Sequence, residues 1–284
     1  MFWRLNQRPV VSDLRCTVLS VGHGNAVVVE TPDQHVLLFD AGAMFRSERT
    51  AEVIARFLWS RGHRMLDAVI VSHADEDHYN AVAGLVDRVV VGQLITTQEF
   101  VNSEAAPVQQ LLSVLRDRRI PVRLAFHGDA LQCGDVFVRF YQAVSLSERL
   151  MERPPERLMD DNERSLVCVL AYASRRVGLP GDLEKRGAAM LLPQLAAVDV
   201  LVSPHHGSPS ANTPLAAAKF QPEVLIVSDT DDRNDALLQQ TYGVGTRILN
   251  TSTAGAAFIT VRSNSAITCE SYRGTAFPDT TDFR

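Results

Sequence analysis

Three stretches of this 284-residue chain are apolar at nearly every position: "LDAVIV" (66–71), "VDVLVS" (198–203) and "EVLIVS" (223–228). Successive side chains of a strand point to opposite faces, so a strand with one wet face alternates apolar and polar residues. A run without that alternation reads as a strand covered on both sides. Shorter β-branched runs, "CTVLSV" (16–21), "NAVVVET" (25–31) and "HVLLFD" (35–40), are separated by "GHG" and "TPDQ" turns and read as further strands. Apolar residues at helical spacing (Val53, Ile54, Phe57, Leu58) predict a helix over 46–62 that stops at Gly62, and "YNAVAGLVDR" (79–88) predicts a second. The later half repeats the style, with strands in "PVRLAF", "DVFVRFYQA", "RSLVCVLAY", "RVGLP", "TRILN", "AAFITVRS" and "AITCESY", and helices over 184–195, "ANTPLAAAKF" and "NDALLQQTY". Strand groups with intervening helices suggest two packed sheets with helices outside. A hydrophobic content of 46% supports one domain over 1–273, followed by a tail at 274–284.

A net charge of −5 argues against a strong nonspecific electrostatic grip on nucleic acid. "RDRRIPVR" (116–123) and the pair Arg175–Arg176 are the local basic candidates. The four cysteines, Cys16, Cys133, Cys168 and Cys269, form no CxxC pair, which suits a reducing compartment. No window approaches the length of a bilayer span, so the sequence reads as a soluble, cytoplasmic protein.

The ends of the apolar strands carry the chemistry. "SHADEDH" (72–78) places His73, Asp75, Asp77 and His78 directly after one; Asp182 follows "RVGLPG", and His205 and His206 follow "VLVSP". Sheet architectures place their sites at the C-terminal ends of strands, and histidine with carboxylate is a divalent-metal donor set. In an extended loop, positions 73 and 75 point the same way, which pairs His73 with Asp75 on one ion. Asp77 and His78, at the entry to the next helix, are then expected to face a second ion about 3.5–4 Å away. Asp182 suits a bridging carboxylate, and either His205 or His206 closes a coordination sphere. Glu76 is expected to point elsewhere.

"SHADEDHYNAVAGL", "LPGDLE" and "VSPHHGS" resemble the metallo-β-lactamase fold, and most of all the metallo-β-lactamase-like domain of the ComEC proteins of bacterial DNA uptake. "LSVGHGNAVVVETPDQHVLLFDAG" (19–42) is similar to that family's VGQGDA…LIDTG hairpins, and "DDNERSLVCVLAY" to its N-x-x-S-L strand. The resemblance implies an α/β (α+β) four-layer αββα sandwich with a binuclear site. It also implies that Asp40 steadies a ligand histidine. Asp75 replaces the second histidine of the usual H-x-H-x-D-H. The added carboxylate makes the site harder, so manganese or magnesium competes with zinc more effectively. Two divalent ions, zinc or manganese with magnesium as a further candidate, are expected. No histidine lies between residues 128 and 204 to serve as the family's mid-chain ligand, leaving Asn162 or Asp161 as substitutes. The usual Gln-Gly-Asp turn is "HGN", so His23 is either a ligand or proton donor, or a surface residue of a tight turn.

The function implied is metal-dependent phosphodiester hydrolysis, in DNA, by a two-metal-activated water. Asp77, His205 and His206 are its candidate catalytic residues, and a regulatory protein partner is expected. The alternatives are a small-molecule phosphodiesterase akin to phosphorylcholine esterases, and a degenerate metal-binding module.

Overall fold

The computed structural model describes residues 11–143 and 159–274, so the expected tail beyond Gly274 lies outside the described residues. Strands β1 (Leu14–Val18), β2 (Val27–Glu30) and β3 (Val36–Phe39) form antiparallel hairpins, and β3 then pairs in parallel with β5 (Ala68–Ile70). The first sheet is completed by β7 (Leu94–Thr96) and β8 (Val122–Leu124) on one side and by β16 (Ala257–Val261) and β17 (Ile267–Ser271) on the other. The second sheet runs from β9 (Ala130–Cys133) through β10 (Val136–Tyr141) and β11 (Val167–Tyr172) in antiparallel pairs. It continues with β12 (Arg175–Leu179), antiparallel to β11, and then in parallel from β12 through β13 (Val200–Val202), β14 (Val224–Val227) and β15 (Arg247–Asn250). A small ribbon pairs β4 (Met65–Leu66) with β6 (Val90–Val91).

Alternate side chains of each sheet meet in one central core. Val27, Val29, Leu37 and Phe39 of the first sheet share it with Val138, Cys168, Val200 and Ile226 of the second. The opposite faces are covered by helices. α1 (Ser47–Ser60), α3 (Val82–Leu85) and α5 (Ala106–Asp117) pack on Val28, Leu38 and Val69. α6 (Lys185–Leu191), α7 (Pro214–Phe220) and α8 (Asp235–Tyr242) cover Val169, Leu201 and Leu225. That is a four-layer αββα sandwich, and it explains the unbroken apolar runs: each strand beneath them is walled on both faces. All four cysteines are free and buried. Among the described residues, no helix is long and apolar enough to cross a membrane.

α1 forms as its spacing predicts, burying Ala51, Ile54, Ala55 and Leu58, and the chain leaves it at Gly62 with φ +81°. The helix expected over 79–88 is instead two single turns, α2 (Glu76–Tyr79) and α3. The break has a cause: the Ala81 N–H is diverted to the carbonyl of Ala41, and the Asn80 amide is engaged with Ala43. "RDRRIPVR" is split between the end of α5 and β8 and forms no single element.

Candidate metal centre

The C-terminal ends of β3, β5, β12, β13 and β14 bring their loops to one edge of the sandwich. Asp40, just past β3, is fully buried and is the anchor. Its carboxylate accepts the Ser72 backbone N–H at 2.8 Å, the Ser72 hydroxyl at 3.0 Å and the Asn25 amide at 3.2 Å. It also lies 2.8 Å from Nδ1 of His78. A carboxylate there makes Nδ1 the donor and turns Nε2 inward as the free lone pair. His73 is held the same way: its Nδ1 donates to Ser72 Oγ at 2.9 Å, with Ser165 Oγ at 3.3 Å on the other side. His206 places Nδ1 3.0 Å from the Ser228 carbonyl. The Nε2 atoms of His78 and His206 therefore face each other at 3.3 Å, and that of His73 is left free for a ligand role.

Two groups result. Ligand atoms of His73, His78 and Asp182 lie within 4.8 Å of one another, and so do those of His23, Asp77 and His206. Asp182 reaches both, at 3.1 Å from His78 Nε2 and 3.7 Å from His206 Nε2. Asp77 is 3.2 Å from His206 Nε2, and His23 Nε2 is 3.8 Å from Asp77. This grouping differs from the one expected of the sequence: His78 sits with His73 rather than with Asp77. Asp77 and His78 are consecutive residues of a helical turn, about 100° apart around its axis, so they face different partners. Asp75 joins neither group. It is half exposed, with Oδ2 3.5 Å from His73 Nε2. Glu76 is exposed.

His205 stands apart from His206. Its Nδ1 is 3.1 Å from the buried Glu184 carboxylate, which also takes the Ser210 hydroxyl, and its Nε2 is 3.8 Å from Asp182. His23 is tied at Nδ1 to Asp229, 2.9 Å away, so it faces inward and is not a turn ornament. Asn25 fastens the turn to Asp40 and to the backbone of Asp77. Asp161 belongs to neither group, and the Asn162 amide oxygen is buried without a hydrogen-bond partner. Glu184, Asp229 and Ser165 were not singled out from the sequence. Asp229 follows the apolar run of β14, so the strand-end rule that flagged His73 points to it equally.

The electrostatics are those of a cation site. Burial pushes the Asp77 carboxyl up, but the His206 hydrogen bond and the charge on His78 outweigh it and hold the group at about 2. Burial likewise opposes ionisation of Asp182, and the charges of His78 and His206 drive it well below the usual carboxylate range. His78 is pushed down by burial and up, by more, by Asp182 and Asp40. Without another cation, protons on these rings balance the carboxylates. Two facing Nε2 atoms of His78 and His206 at 3.3 Å, and a buried His73 Nε2 with no hydrogen-bond partner, are poorly served by protons. Divalent ions match this mixed N/O donor set and its spacing.

Residues 19–228 match the family model for the metallo-beta-lactamase superfamily. The chain belongs to that superfamily. The chain is similar to the ComE operon protein 3 of Bacillus subtilis (strain 168), 28% identical over 74% of this chain, and to the competence protein ComA of Neisseria gonorrhoeae, 24% identical over 84%. Recombination protein 2 of Haemophilus influenzae is 24% identical over 74% of the chain. The matched regions are 28%, 31% and 23% of those three proteins, so this chain spans less than a third of the length of each. Among solved structures of the metallo-β-lactamase fold, YhfI of Bacillus subtilis superposes with a TM-score of 0.57 at 11% identity, covering 87% of this chain and all (100%) of that one. CmlA, a diiron β-hydroxylase from Streptomyces venezuelae, gives 0.53 at 14% identity, over 89% of this chain and 55% of the other.

Proposed function

We propose that this protein is a metal-dependent phosphodiester hydrolase acting on DNA. The observation that carries the reading is that the buried Asp182 carboxylate lies 3.1 Å from His78 Nε2 and 3.7 Å from His206 Nε2, reaching from one ligand group to the other, which supports a two-ion centre. His73, His78 and Asp182 would hold one ion, and Asp77, His206 and His23 the other, with Asp182 between them and Asp75 at the rim of the first. Ions so held would polarise a phosphoryl group and bring a water's pKa toward neutrality.

The chain's own groups do the rest. Asp40, Ser72 and Ser228 fix the orientation of the ligand imidazoles, and Asp229 fixes that of His23. Glu184 holds His205 by Nδ1, leaving Nε2 turned toward Asp182 on a side chain 29% exposed. In this reading His205 would donate a proton to a departing oxygen. The resemblance to competence and recombination proteins supports DNA as the substrate class, and their greater length supports a partner or further domain that governs the activity.

The test is incubation of the purified chain with linear, circular and single-stranded DNA in Mn²⁺, Mg²⁺ or Zn²⁺, alongside a small phosphodiester. Metal-dependent cleavage of DNA, abolished by chelator, is expected. Hydrolysis of the small phosphodiester alone would move the protein to a small-molecule class, which the acidic net charge of −5 favours. No cleavage of either, with metal bound, would leave a binding module.

A further inference from the structure

The loop that leaves Asp40 passes the metal centre before entering α1, and it is fastened there at two points. The Asn80 amide clamps Ala43 in both directions, accepting its N–H at 3.2 Å and donating to its carbonyl at 2.8 Å. The Met44 N–H donates to the His23 carbonyl at 2.8 Å. Both anchors belong to the site's own segments. Phe45 comes next, 92% exposed and at φ +65°. A bulky side chain in left-handed backbone is disfavoured, and this ring recovers nothing by burial. Strain held by a clamped loop, with no packing return, marks a residue kept for contact with something else.

Beside Phe45 a cavity of about 510 Å³ opens between the start of α1, the α2 turn and α5. Leu111 and Val114 supply apolar wall, and Gln110 and Glu76 supply polar edge. Its only cationic residue is Arg46, and its only anionic one is Glu76. Arg46 has no acidic partner among the described residues. A cavity whose edge carries one cation and one carboxylate has no net positive charge with which to hold a phosphate inside it. It suits a neutral planar ring bearing N–H groups, with a charged phosphate left outside near Arg46. Glu76 and Asp77 are consecutive, one lining this cavity and the other in a ligand group, so the two sites lie on different faces of one helical turn, about 100° apart around its axis.

We propose that this cavity is a nucleobase subsite in which Phe45 is the stacking platform, Gln110 and Glu76 meet the base edge, and Arg46 meets the adjoining phosphate. It rests on the phosphodiester reading above and names the group that flanks the reacting phosphate. Aromatic side chains bind bases of any sequence through their π faces, so the subsite selects nucleotides over other phosphodiesters without selecting a base.

Binding is measured by calorimetry on the Mn²⁺-saturated chain, with thymidine 5′-monophosphate and 2-deoxyribose 5-phosphate as probes. The wild type is expected to bind the nucleotide more tightly than the sugar phosphate. Phe45→Ala should weaken nucleotide binding by roughly tenfold and leave the sugar phosphate unchanged, and Phe45→Trp should restore it. Phe45→Gly should melt at or above the wild-type temperature, because glycine accepts this backbone, while losing the same nucleotide affinity. On a single-stranded oligonucleotide, Phe45→Ala should raise KM with kcat unchanged, and an abasic version of that oligonucleotide should remove the difference. Equal wild-type affinity for both probes, or equal weakening of both by Phe45→Ala, overturns the subsite. Phe45-dependent nucleotide binding without cleavage of any phosphodiester would refute hydrolysis and keep the subsite. Cleavage indifferent to the bases would keep hydrolysis and refute the subsite.

Discussion

His78 is the side chain through which most of the site's contacts run. Its Nδ1 is taken by Asp40 at 2.8 Å, and its Nε2 meets Asp182 at 3.1 Å and His206 at 3.3 Å. Asp40→Asn keeps the shape but replaces the charged acceptor that sets the His78 tautomer. Metal affinity is expected to fall by about 10- to 100-fold, read by competition with a chelating dye, with the circular dichroism spectrum unchanged. Asp77 offers a sharper contrast with its neighbour. Asp77→Ala removes a ligand-group carboxylate and should lower kcat for phosphodiester cleavage by on the order of a thousandfold or more. Glu76→Gln, on another face of the turn, should alter KM and leave kcat within about threefold. Matching kcat losses in the two variants, at equal folded fraction, would reduce the motif to an acidic turn.

Among the elements, two junctions matter most. Gly42 lies against the metal loop: a Cβ there would stand 2.4 Å from the Asp77 carbonyl carbon. Gly42→Ala must push α2 away from β3, at a cost of about 1–3 kcal/mol in urea unfolding, and should weaken metal binding with it. The other junction joins β2 to the end of α1. Glu30 is buried and takes Arg61 and His63, the latter at 2.8 Å. Burial pushes its carboxyl up, while the His63 hydrogen bond and the Arg61 charge outweigh it and hold it below its ordinary value of 4.5. The folded state thus binds this proton less readily than the unfolded chain. Its stabilisation is present above the unfolded value and drains away as pH falls through that value toward the folded one. Glu30→Gln should lower the melting temperature at pH 7 and flatten its decline below about pH 5. An unaltered acid limb would place the acid sensitivity elsewhere.

For the whole molecule, the site ties the two sheets together at one edge. His73 and His78 come from the first sheet, and Asp182 and His206 from the second. Ions that bind only when these loops converge must stabilise the folded state, by about 2.7 kcal/mol at a hundredfold excess over Kd. Mn²⁺ or Zn²⁺ should therefore raise the melting temperature and chelator lower it. A melting curve indifferent to both would mean the ligand groups hold no ion in solution.

The strands, the two-sheet layering and the strand-end loops were legible in the sequence because their signals are local. An unalternating apolar run announces cover on both faces, and a histidine–carboxylate cluster behind it announces a site. The tertiary structure alone decided which side chains share a group. A helical turn sends Asp77 and His78 to different partners, so spacing read as an extended loop paired them wrongly. The single helix expected after them was cut by Ala41 and Ala43, backbone neighbours supplied by another strand's loop. Asp229 and Glu184 gained their roles only by meeting His23 and His205. Sequence fixes what each strand end carries, but the distances between ligands depend on how loops remote in the chain are brought together by the two sheets.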